Sequence, residues 1–573
     1  MAKPGGLIFW AASIGALIGP ASAMAQLAAP SQVTPPTLRP LGPPDDQPIK
    51  LPGATEVSAP AGDTGLTVLV RRVDIADAFP SLRSITQPAI ARIQGRRLTV
   101  AQIYAFAAEL ERLCSQAGYP LVRISVPPQS LVDGGDLRLT IIDGFIEAID
   151  VSALPERVRR VVAARTDVLL NRPHPRLEQI ERALMVAGEV PGLKLRSTLL
   201  RGAREGGVRL VLEGEHRLVT GSIGGDDLLP RSLGTWQLRG TVAINSPFGA
   251  GEQIYATAGL SPNLRAASEG NAPLSLYGGG AVVPIGTDGI TANPEYTHSR
   301  TLTKQAAGVP ASLGTFDRVA LRLRGPIILS RTKSLYVTVV VEDVEQQISA
   351  PDFGVTLNHD HYRVLRGGVD YAAPLPGGAG LQLGAQLSKG LGGRSADDAV
   401  ISGVPLSRLG ATPDFVKLAA NARLAQPLPA GFRFDLIGAG QFTAGKPMFR
   451  SEQMSLDTSE AVSAFASGTL NADQALTLRG ELAHPFGLSL FGASAAVSPY
   501  LFAAAGRGWL GNATALEQRS FNAAAVGTGV RSNVAIAATP KNASIALEVA
   551  RAYTDLNGIR QGWRANVVGA VAF

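Results

Sequence analysis

The residues best placed for metal chemistry are two histidines one residue apart, His359 and His361, in the segment NHDHY. Two imidazoles at this spacing can share a metal ion, although protein sites normally add cysteine or carboxylate ligands. The single cysteine, Cys114, excludes an internal disulfide and argues against a cysteine-based metal site. We therefore interpret both histidines as plain polar positions, or as positions that face the lumen of a barrel, and predict no metal site.

Motifs for nucleophilic, metal-assisted or phosphate chemistry are missing from the sequence. It contains no G-x-S-x-G, no H-E-x-x-H and no G-x-x-x-x-G-K-[ST]. The segment DLNG at 555–558 has the composition of a hairpin loop rather than a calcium loop. We predict no catalytic residue, no cofactor and no enzymatic activity.

The composition indicates a chain whose outer surface is poor in charge. Only 17% of the 573 residues are charged, against roughly 25% in soluble domains. The net charge of +7 comes from scattered arginines, which does not indicate a nucleic-acid partner. With a mean hydropathy of +0.14 and no long apolar run after the N-terminus, the chain is either a large soluble secreted protein or a membrane β-barrel.

The first 65 residues predict export followed by an extended connection. Lys3, an apolar stretch from Leu7 to Ile18 and small residues before Gln26 form a secretory signal peptide over 1–25. Residues 26–65 are rich in proline and have no periodicity, which predicts a periplasmic linker.

Two units of α+β pattern follow, at 66–143 and 144–216. In the first, a helix begins at a capping box formed by Thr99 and Gln102, and Gly118 ends it. Apolar residues spaced by three and four place Cys114 on the buried face of that helix. The second unit repeats the plan, with two helical stretches and two closing strands.

From 217 to 573 the helical period gives way to alternating strands. Segments with proline in a turn recur at Pro247, 284, 326, 374, 427, 485 and 540, and each interval has room for two membrane strands and a longer outer loop. Seven turns predict sixteen strands. The alternating C-terminal strand ends in Phe573, which resembles the terminal aromatic signal of outer-membrane barrels; an ordinary edge strand is the alternative.

The first unit carries the most specific resemblance. Its segment 118–146 resembles the polypeptide-transport-associated (POTRA) repeat of two-partner-secretion transporters, the TpsB group of ShlB, FhaC and HecB. NSPFGAGEQI at 245–254 and SPYLFAAAGRGW at 498–509 resemble barrel segments of the same group. The matching POTRA positions are Gly118, Tyr119, Val126, Pro127, Gln129, Gly135 and Gly144.

The resemblance implies a fold and a function. The fold is a membrane β-barrel of about 16 antiparallel strands preceded by two α+β POTRA domains. The implied function is to bind an unfolded exoprotein of the haemolysin or adhesin class in the periplasm and to pass it through the barrel. Outer-membrane lipid and the barrel-assembly machinery are the other implied partners. An insertase of the same superfamily and a passive porin are the alternatives.

One family motif is altered in this chain. In the superfamily, the sixth outer loop turns inward, and its arginine contacts an aspartate of the barrel wall. Both charges are missing here, and we hypothesise that apolar packing of Val462 and Phe465 holds the loop; a shifted alignment or a mobile loop is the alternative. The loop positions are Val462, Ser463, Ala464 and Phe465, and the wall positions are Phe502, Ala504 and Gly506.

A second departure concerns the N-terminus, where many relatives have an amphipathic helix that plugs the pore. Residues 26–64 contain too much proline to form such a helix easily. A resident plug is therefore not predicted, although the linker itself has the extended character needed to thread the lumen.

Overall fold

The structure is a computed structural model, and it describes residues 29–34, 67–262, 265–266, 269–305, 310–490, 493–536 and 542–573. The predicted signal peptide, nearly all of the linker and the predicted turn at Pro540 lie outside the described residues. Six α-helices are described, of which only α6 and the short α1 lie outside the two N-terminal repeats. They are α1 (Pro30–Val33), α2 (Pro80–Ile93), α3 (Val100–Gln116), α4 (Glu156–Thr166), α5 (Leu177–Gly188) and α6 (Ala396–Ser402). Within the described ranges, no helix has the length and apolar character needed to cross a membrane.

The first repeat is a four-stranded sheet covered by α2 and α3. The sheet has the order β2-β1-β4-β3, with β1 and β4 parallel. Its strands are β1 (Thr67–Ala76), β2 (Arg96–Thr99), β3 (Arg123–Ser125) and β4 (Gly135–Ile142). The β-α-α-β-β plan of the repeat allows for α2, but its position was not predicted, because Pro80 and Pro88 mask its pattern. Pro80 occupies the first turn of the helix, where a missing N–H costs nothing, and the interior Pro88 is tolerated.

The capping box predicted for α3 is confirmed. Gln102 N donates to Thr99 Oγ1 at 3.1 Å, and Thr99 N donates to Gln102 Oε1 at 2.8 Å. Cys114 is fully buried in the core of this repeat, and burial raises the pKa of its thiol to about 11. The thiol therefore stays protonated and behaves as a packing residue.

The second repeat has three strands in the order β5-β7-β6, packed against α4 and α5. Its strands are β5 (Phe145–Asp150), β6 (Leu193–Arg201) and β7 (Gly207–His216). The repeat contacts the barrel directly. Arg182 Nη2 donates to the Pro326 carbonyl at 3.0 Å, Arg157 Nη1 donates to the Pro247 carbonyl at 2.7 Å, and the Tyr336 hydroxyl donates to Glu189.

The remaining chain forms a closed antiparallel barrel, which confirms the predicted fold class of sixteen strands. One of the sixteen is split: β21 (Gln474–Ala483) and β22 (Phe486–Leu490) pair with the same neighbour, β23 (Ala493–Trp509), on either side of His484 and Pro485. Pro485 was predicted to lie in a turn, and this is wrong, since it interrupts a strand instead. Pro284 and Pro326 were also predicted to lie in turns, but they pair within the strands Leu274–Ile285 and Ser312–Leu329, a few residues before the turns begin. Proline has no N–H to give to the ladder, so a break of two residues is the local consequence.

The barrel strands follow one another around the wall in chain order, and the short β19 and β20 lie in a loop. They are β8 (Val219–Asp226), β9 (Gln237–Asn245), β10 (Gln253–Leu260), β11 (Leu274–Ile285), β12 (Ile290–Thr303), β13 (Ser312–Leu329), β14 (Ser334–Ala350), β15 (Val355–Pro374), β16 (Gly380–Gly393), β17 (Val416–Pro427), β18 (Arg433–Phe442), β19 (Met454–Ser455), β20 (Asn471–Ala472), β21 (Gln474–Ala483), β22 (Phe486–Leu490), β23 (Ala493–Trp509), β24 (Ser520–Ile536), β25 (Asn542–Thr554) and β26 (Gly562–Ala572).

Alternation along each strand separates an apolar outer face from a polar lumen. On β13, Val319, Leu321 and Leu323 are exposed on the outside. Arg318 and Arg322 lie on the other face and pair with the buried Glu295 of β12. Hydrocarbon outside and ion pairs inside are the arrangement expected of a barrel that spans a bilayer.

The barrel closes between its last and first strands. β26 pairs with β8 from Val568 opposite Asp226 to Ala572 opposite Ser222. Phe573 continues this ladder, since its N–H donates to the Gly221 carbonyl at 2.9 Å and its carbonyl accepts from Gly221 N at 3.0 Å. The role of Phe573 as a signal for barrel assembly stays a prediction.

Gly144 joins the two repeats at a point where its backbone lies very close to that of Leu121. A Cβ at this position would lie 2.1 Å from the Leu121 carbonyl oxygen. We expect Gly144→Ala to destabilise the junction by about 1–3 kcal/mol, because the backbone must move to admit the methyl group. Limited proteolysis of the folded full-length chain should show faster cleavage between the repeats.

Gly188 at the end of α5 supplies the control, since a Cβ there meets nothing within 4 Å. Gly188→Ala should leave the cleavage rate unchanged. Equal cleavage of Gly144→Ala and the parent protein would contradict the steric argument.

Candidate functional site

The sixth outer loop, residues 443–473, is called loop six here. It joins β18 to β21 and contains the short antiparallel pair β19–β20. The predicted motif positions lie near its middle and are buried inside the barrel. The exposed fractions are 0% for Val462, 3% for Ser463, 4% for Ala464 and 4% for Phe465.

The predicted wall positions face the same part of the lumen. Phe502 and Ala504 on β23 are buried, and both belong to one apolar cluster with Val462 and Phe465. At Gly506 a Cβ would lie 3.1 Å from Leu456 Cδ2 of loop six. The structure therefore brings the loop positions and the wall positions together, whereas the part that each plays in function stays a prediction.

A charged residue that the sequence analysis missed lies at this contact. Arg479 on β21 is directly opposite Ala504 in the β21–β23 register and is fully buried. Its guanidinium carbon lies 3.6 Å from the centre of the Phe502 ring. Nη1 donates to Ser463 Oγ at 2.8 Å and to the Ala461 carbonyl at 3.3 Å. The positive charge is thus on the wall, beside residues 460–465, which form the tip of loop six.

Two carboxylates neutralise this charge. Arg479 Nη2 donates to Glu548 Oε2 on β25 at 2.7 Å, and Nε donates to Glu481 Oε1 at 2.6 Å. Arg531 on β24 also binds Glu481, through contacts of 2.6 and 2.8 Å. The Tyr500 hydroxyl donates to Glu548 Oε2 at 2.9 Å. Two arginines and two glutamates make a balanced group, which a buried cluster of charges requires.

The loop completes this group with neutral atoms. The Ser463 hydroxyl donates to Glu548 Oε1, and the Ser463 carbonyl accepts from Asn566 Nδ2 on β26 at 2.7 Å. The one sequence signal for the group was an inward-facing Arg-x-Glu on an alternating strand, Arg479 and Glu481. Its partners on β24, β25 and β26 are too far away in sequence to be recognised.

The base of loop six is anchored on a different wall. Glu452 is almost fully buried and accepts from Arg366 Nη2 on β15 at 2.6 Å. Its other oxygen lies 2.7 Å from Lys417 Nζ on β17. Burial acts to raise the pKa of Glu452, but the Arg366 and Lys417 charges outweigh it and hold that pKa well below its usual range. The loop therefore crosses the lumen from the β15–β17 wall to the β21–β26 wall.

A buried carboxylate also shapes the interior of loop six. Asp457 accepts from Leu470 N at 2.6 Å and from Gly468 N at 3.3 Å. Burial raises the pKa of this carboxyl to about 6, and the backbone N–H donors only partly offset it. Ionisation of Asp457 near neutral pH thus acts against the folded loop.

The short helix α1 lies in the lumen as well. Ala29 and Val33 are buried, and Val33 packs with Leu229, Leu233 and Leu274. Ser31 N donates to Gln346 Oε1 on β14 at 3.3 Å, and the helix touches loop six near Arg450. A single turn with Pro30 at its first position is what this proline-rich stretch can form.

The POTRA positions connect the repeats. Gly118 follows α3 with φ +92°, a conformation that favours glycine, and its carbonyl accepts from Leu177 N of the second repeat at 2.9 Å. Tyr119 is buried, and its hydroxyl accepts from Arg176 Nη2 at 3.2 Å. These residues thus fix the orientation of the second repeat on the first.

The other POTRA positions shape one end of the first sheet. The Gln129 side chain accepts from Arg138 N at 2.9 Å and donates to the Arg138 carbonyl at 2.8 Å, so it imitates a strand beside β4. Val126 packs against the core, and the Pro127 carbonyl accepts from Gln129 at 3.3 Å. At Gly135 a Cβ would lie 2.9 Å from the Val132 carbonyl oxygen, so only glycine fits the turn.

The pair His359 and His361 lies on the outer face of β15 rather than in the lumen. His359 Nε2 is 3.0 Å from Glu345, and His361 Nε2 is 3.1 Å from Asp343, while Tyr362 points inward. The lumen-facing interpretation is therefore wrong, because alternation turns both side chains outward. Among the described residues, no three His, Cys, Asp or Glu side chains are grouped to hold a metal ion.

Comparison with known proteins gives two matches to family models. Residues 206–532 match the model of the haemolysin secretion/activation protein ShlB/FhaC/HecB, and residues 68–144 match the ShlB-type POTRA domain. The haemolysin transporter protein ShlB of Serratia marcescens is 24% identical over 428 residues, which cover 70% of this chain and 68% of the relative.

Two further relatives are outer-membrane transporters named CdiB. That of Dickeya dadantii is 31% identical over 148 residues, which span 26% of this chain and only 25% of the relative's length. The solved structure of CdiB from Escherichia coli has a TM-score of 0.67 and 18% identity, covering 96% of this chain and 94% of that one. The latter likeness shows a common fold.

The first family model covers more than half of the chain, and the second covers the first repeat. The structure has the two repeats and the sixteen-stranded barrel that the resemblance implies. The chain therefore belongs to the haemolysin secretion/activation family of ShlB, FhaC and HecB.

Proposed function

We propose that this outer-membrane protein secretes one large exoprotein of the haemolysin or adhesin class. The two repeats, divided as 66–143 and 144–216, bind the unfolded chain in the periplasm, and the barrel of 217–573 conducts it to the surface. The observation that carries the proposal is a charge-lined lumen crossed by a loop anchored at both ends, above two docked repeats. A polar lumen suits a chain whose main-chain groups remain hydrated.

The edge strands of the repeats supply a binding surface for such a chain. In the described sheets, β2 and β3 are the edges of the first, and β5 and β6 are the edges of the second. An unfolded polypeptide can add to a sheet edge through main-chain hydrogen bonds, with little demand on its sequence. Outer-membrane lipid surrounds the barrel, and the barrel-assembly machinery inserts it through the strand that ends in Phe573.

The segments that occupy the lumen favour a transporter whose pore opens only during transport. Loop six and α1 both lie within the barrel, and they touch near Arg450. A passive porin needs a free channel, whereas a secretion pore between transport events needs to be closed to small solutes. The two periplasmic repeats likewise have no task in a porin.

Deletion of the gene tests the proposal. We expect one large protein to disappear from the medium or the cell surface and to return on complementation, because no other pore would accept it. Quantitative analysis of secreted proteins in deletion, complemented and parent strains makes the measurement.

The other functions predict different results from the same strains. An insertase would reduce several outer-membrane proteins together, and a porin would change only the uptake of small solutes. If every exoprotein remains at its parental level, the transport proposal is wrong.

The buried Asp457 carboxyl predicts a pH dependence of loop closure. Between pH 4 and pH 6 the closed state keeps a proton that the solvent-exposed open state releases, because its pKa of about 6 lies above the ordinary value of 3.8. Closure is therefore strongest below pH 4, weakens up to pH 6 and then stays constant. Single-channel recordings in planar bilayers should show opening events that become more frequent from pH 4 to pH 7.

Asp457→Asn removes this titration and should flatten the pH profile between pH 4 and pH 7. Asp397→Asn on the exposed helix α6 is the matched control and should keep the parental profile. An unchanged profile in Asp457→Asn would show that another group controls closure.

A further inference from the structure

The tip of loop six is held to the wall almost wholly by neutral atoms of the loop. The Ser463 hydroxyl accepts from Arg479 and donates to Glu548. The Ala461 carbonyl also accepts from Arg479, and the Ser463 carbonyl accepts from Asn566. Within the described residues, the one ion pair between the tip and the wall joins Glu460 and Arg423 at 3.5 Å, and the Glu460 side chain is 67% exposed. An ion pair so open to solvent contributes little.

The charges on the wall remain paired when the loop is taken away. Arg479 keeps Glu481 and Glu548, and Arg531 keeps Glu481. Tyr500 continues to donate to Glu548. Withdrawal of the tip therefore leaves a hydrated but balanced group, with no buried charge deprived of its partner.

The base of the loop behaves in the opposite way. There the loop itself supplies the charge, Glu452, between Arg366 and Lys417. Withdrawal of the base would leave Lys417 without this carboxylate and Arg366 with Glu342 alone. Two buried cations would then share one carboxylate, and breaking a buried pair on one side carries a large cost. The base is therefore the fixed end of the loop and the tip is its releasable end.

We propose that Arg479 is a positioning residue of a reversible latch, which holds the tip of loop six closed and releases it with the wall charges still paired. The inference rests on the proposed transport function and concerns how its pore is held shut. Loop six would turn about the Glu452 anchor while Ser463 leaves Arg479. An unfolded exoprotein in the lumen competes for the same arginine with its own carbonyl groups.

The latch is tested by labelling a cysteine at the loop tip of the purified, membrane-reconstituted full chain. Ala464→Cys places a thiol at a position that is 4% exposed when the loop is closed. A charged maleimide reports opening, and the protein without this change is the blank, since Cys114 is buried. We expect Ser463→Ala to speed labelling by about tenfold or more, since it removes the hydrogen bonds that the hydroxyl makes with Arg479 and Glu548, and both partners are charged.

Ser455→Ala is the matched control, because Ser455 lies in the same loop and bonds only Asn471 within it, at 2.6 Å. We expect its labelling rate to stay within about twofold of the parent, because the Ser455 hydroxyl bonds within the loop and not to the wall group around Arg479. Equal labelling of Ser463→Ala and its parent overturns the proposal. An equal increase in Ser455→Ala also overturns it, since the effect would then be general loosening of the loop.

Exchange of the two residues tests the position of the charge. In the double variant Ser463→Arg with Arg479→Ser, opening must separate an ion pair, so labelling should be slower than in the parent. Faster labelling in a barrel that migrates as folded on an unheated gel overturns the proposal. The Ser463→Ala comparison decides the matter if the exchanged barrel does not assemble.

The labelling needs no exoprotein, so it is independent of the secretion test. If deletion of the gene leaves every exoprotein in place while Ser463→Ala speeds labelling, the latch stands and the transport proposal fails. Loss of one exoprotein with no effect of Ser463→Ala gives the reverse result.

Discussion

The interior of the barrel depends on one buried positive charge. The Arg479 side chain is fully shielded from water, over the face of Phe502, and needs partners for its charge. Removing one side of a buried ion pair typically costs about 3–5 kcal/mol, so Arg479, Glu481 and Glu548 constrain one another. The loop tip accepts two hydrogen bonds from Nη1 of the guanidinium, and these contacts hold loop six across the lumen.

The two ends of loop six then have different energetics. At the base, a loop carboxylate is locked between two cations of the wall, whereas at the tip a hydroxyl and two carbonyls meet charges that balance without them. Neutral hydrogen bonds contribute about 0.5–1.5 kcal/mol each and those to charged groups about 1.5–3 kcal/mol. In the latch that we propose, the tip therefore leaves the wall without exposing an unpaired charge.

Much of the architecture was predictable because it follows local patterns. Alternating strands with proline turns predicted sixteen strands, and the capping box of Thr99 and Gln102 predicted the start of α3. The failures have local causes too. Two prolines masked the helical pattern of α2, and Pro485 interrupts a strand where a turn was expected. The side of the sheet on which His359 and His361 lie depends on the strand register, which local composition does not define.

The sequence by itself determined the repeats, the barrel and the positions of the altered loop and wall motifs, since periodicity and turn residues act over a few residues. It also showed that both usual charges are missing at Ser463 and Ala504. Only the tertiary structure decided what stands in their place. Arg479, Glu481, Arg531, Glu548 and Asn566 lie on four strands, and only the pairing and register of these strands, together with the inward fold of loop six, bring them into one hydrogen-bonded group with Ser463.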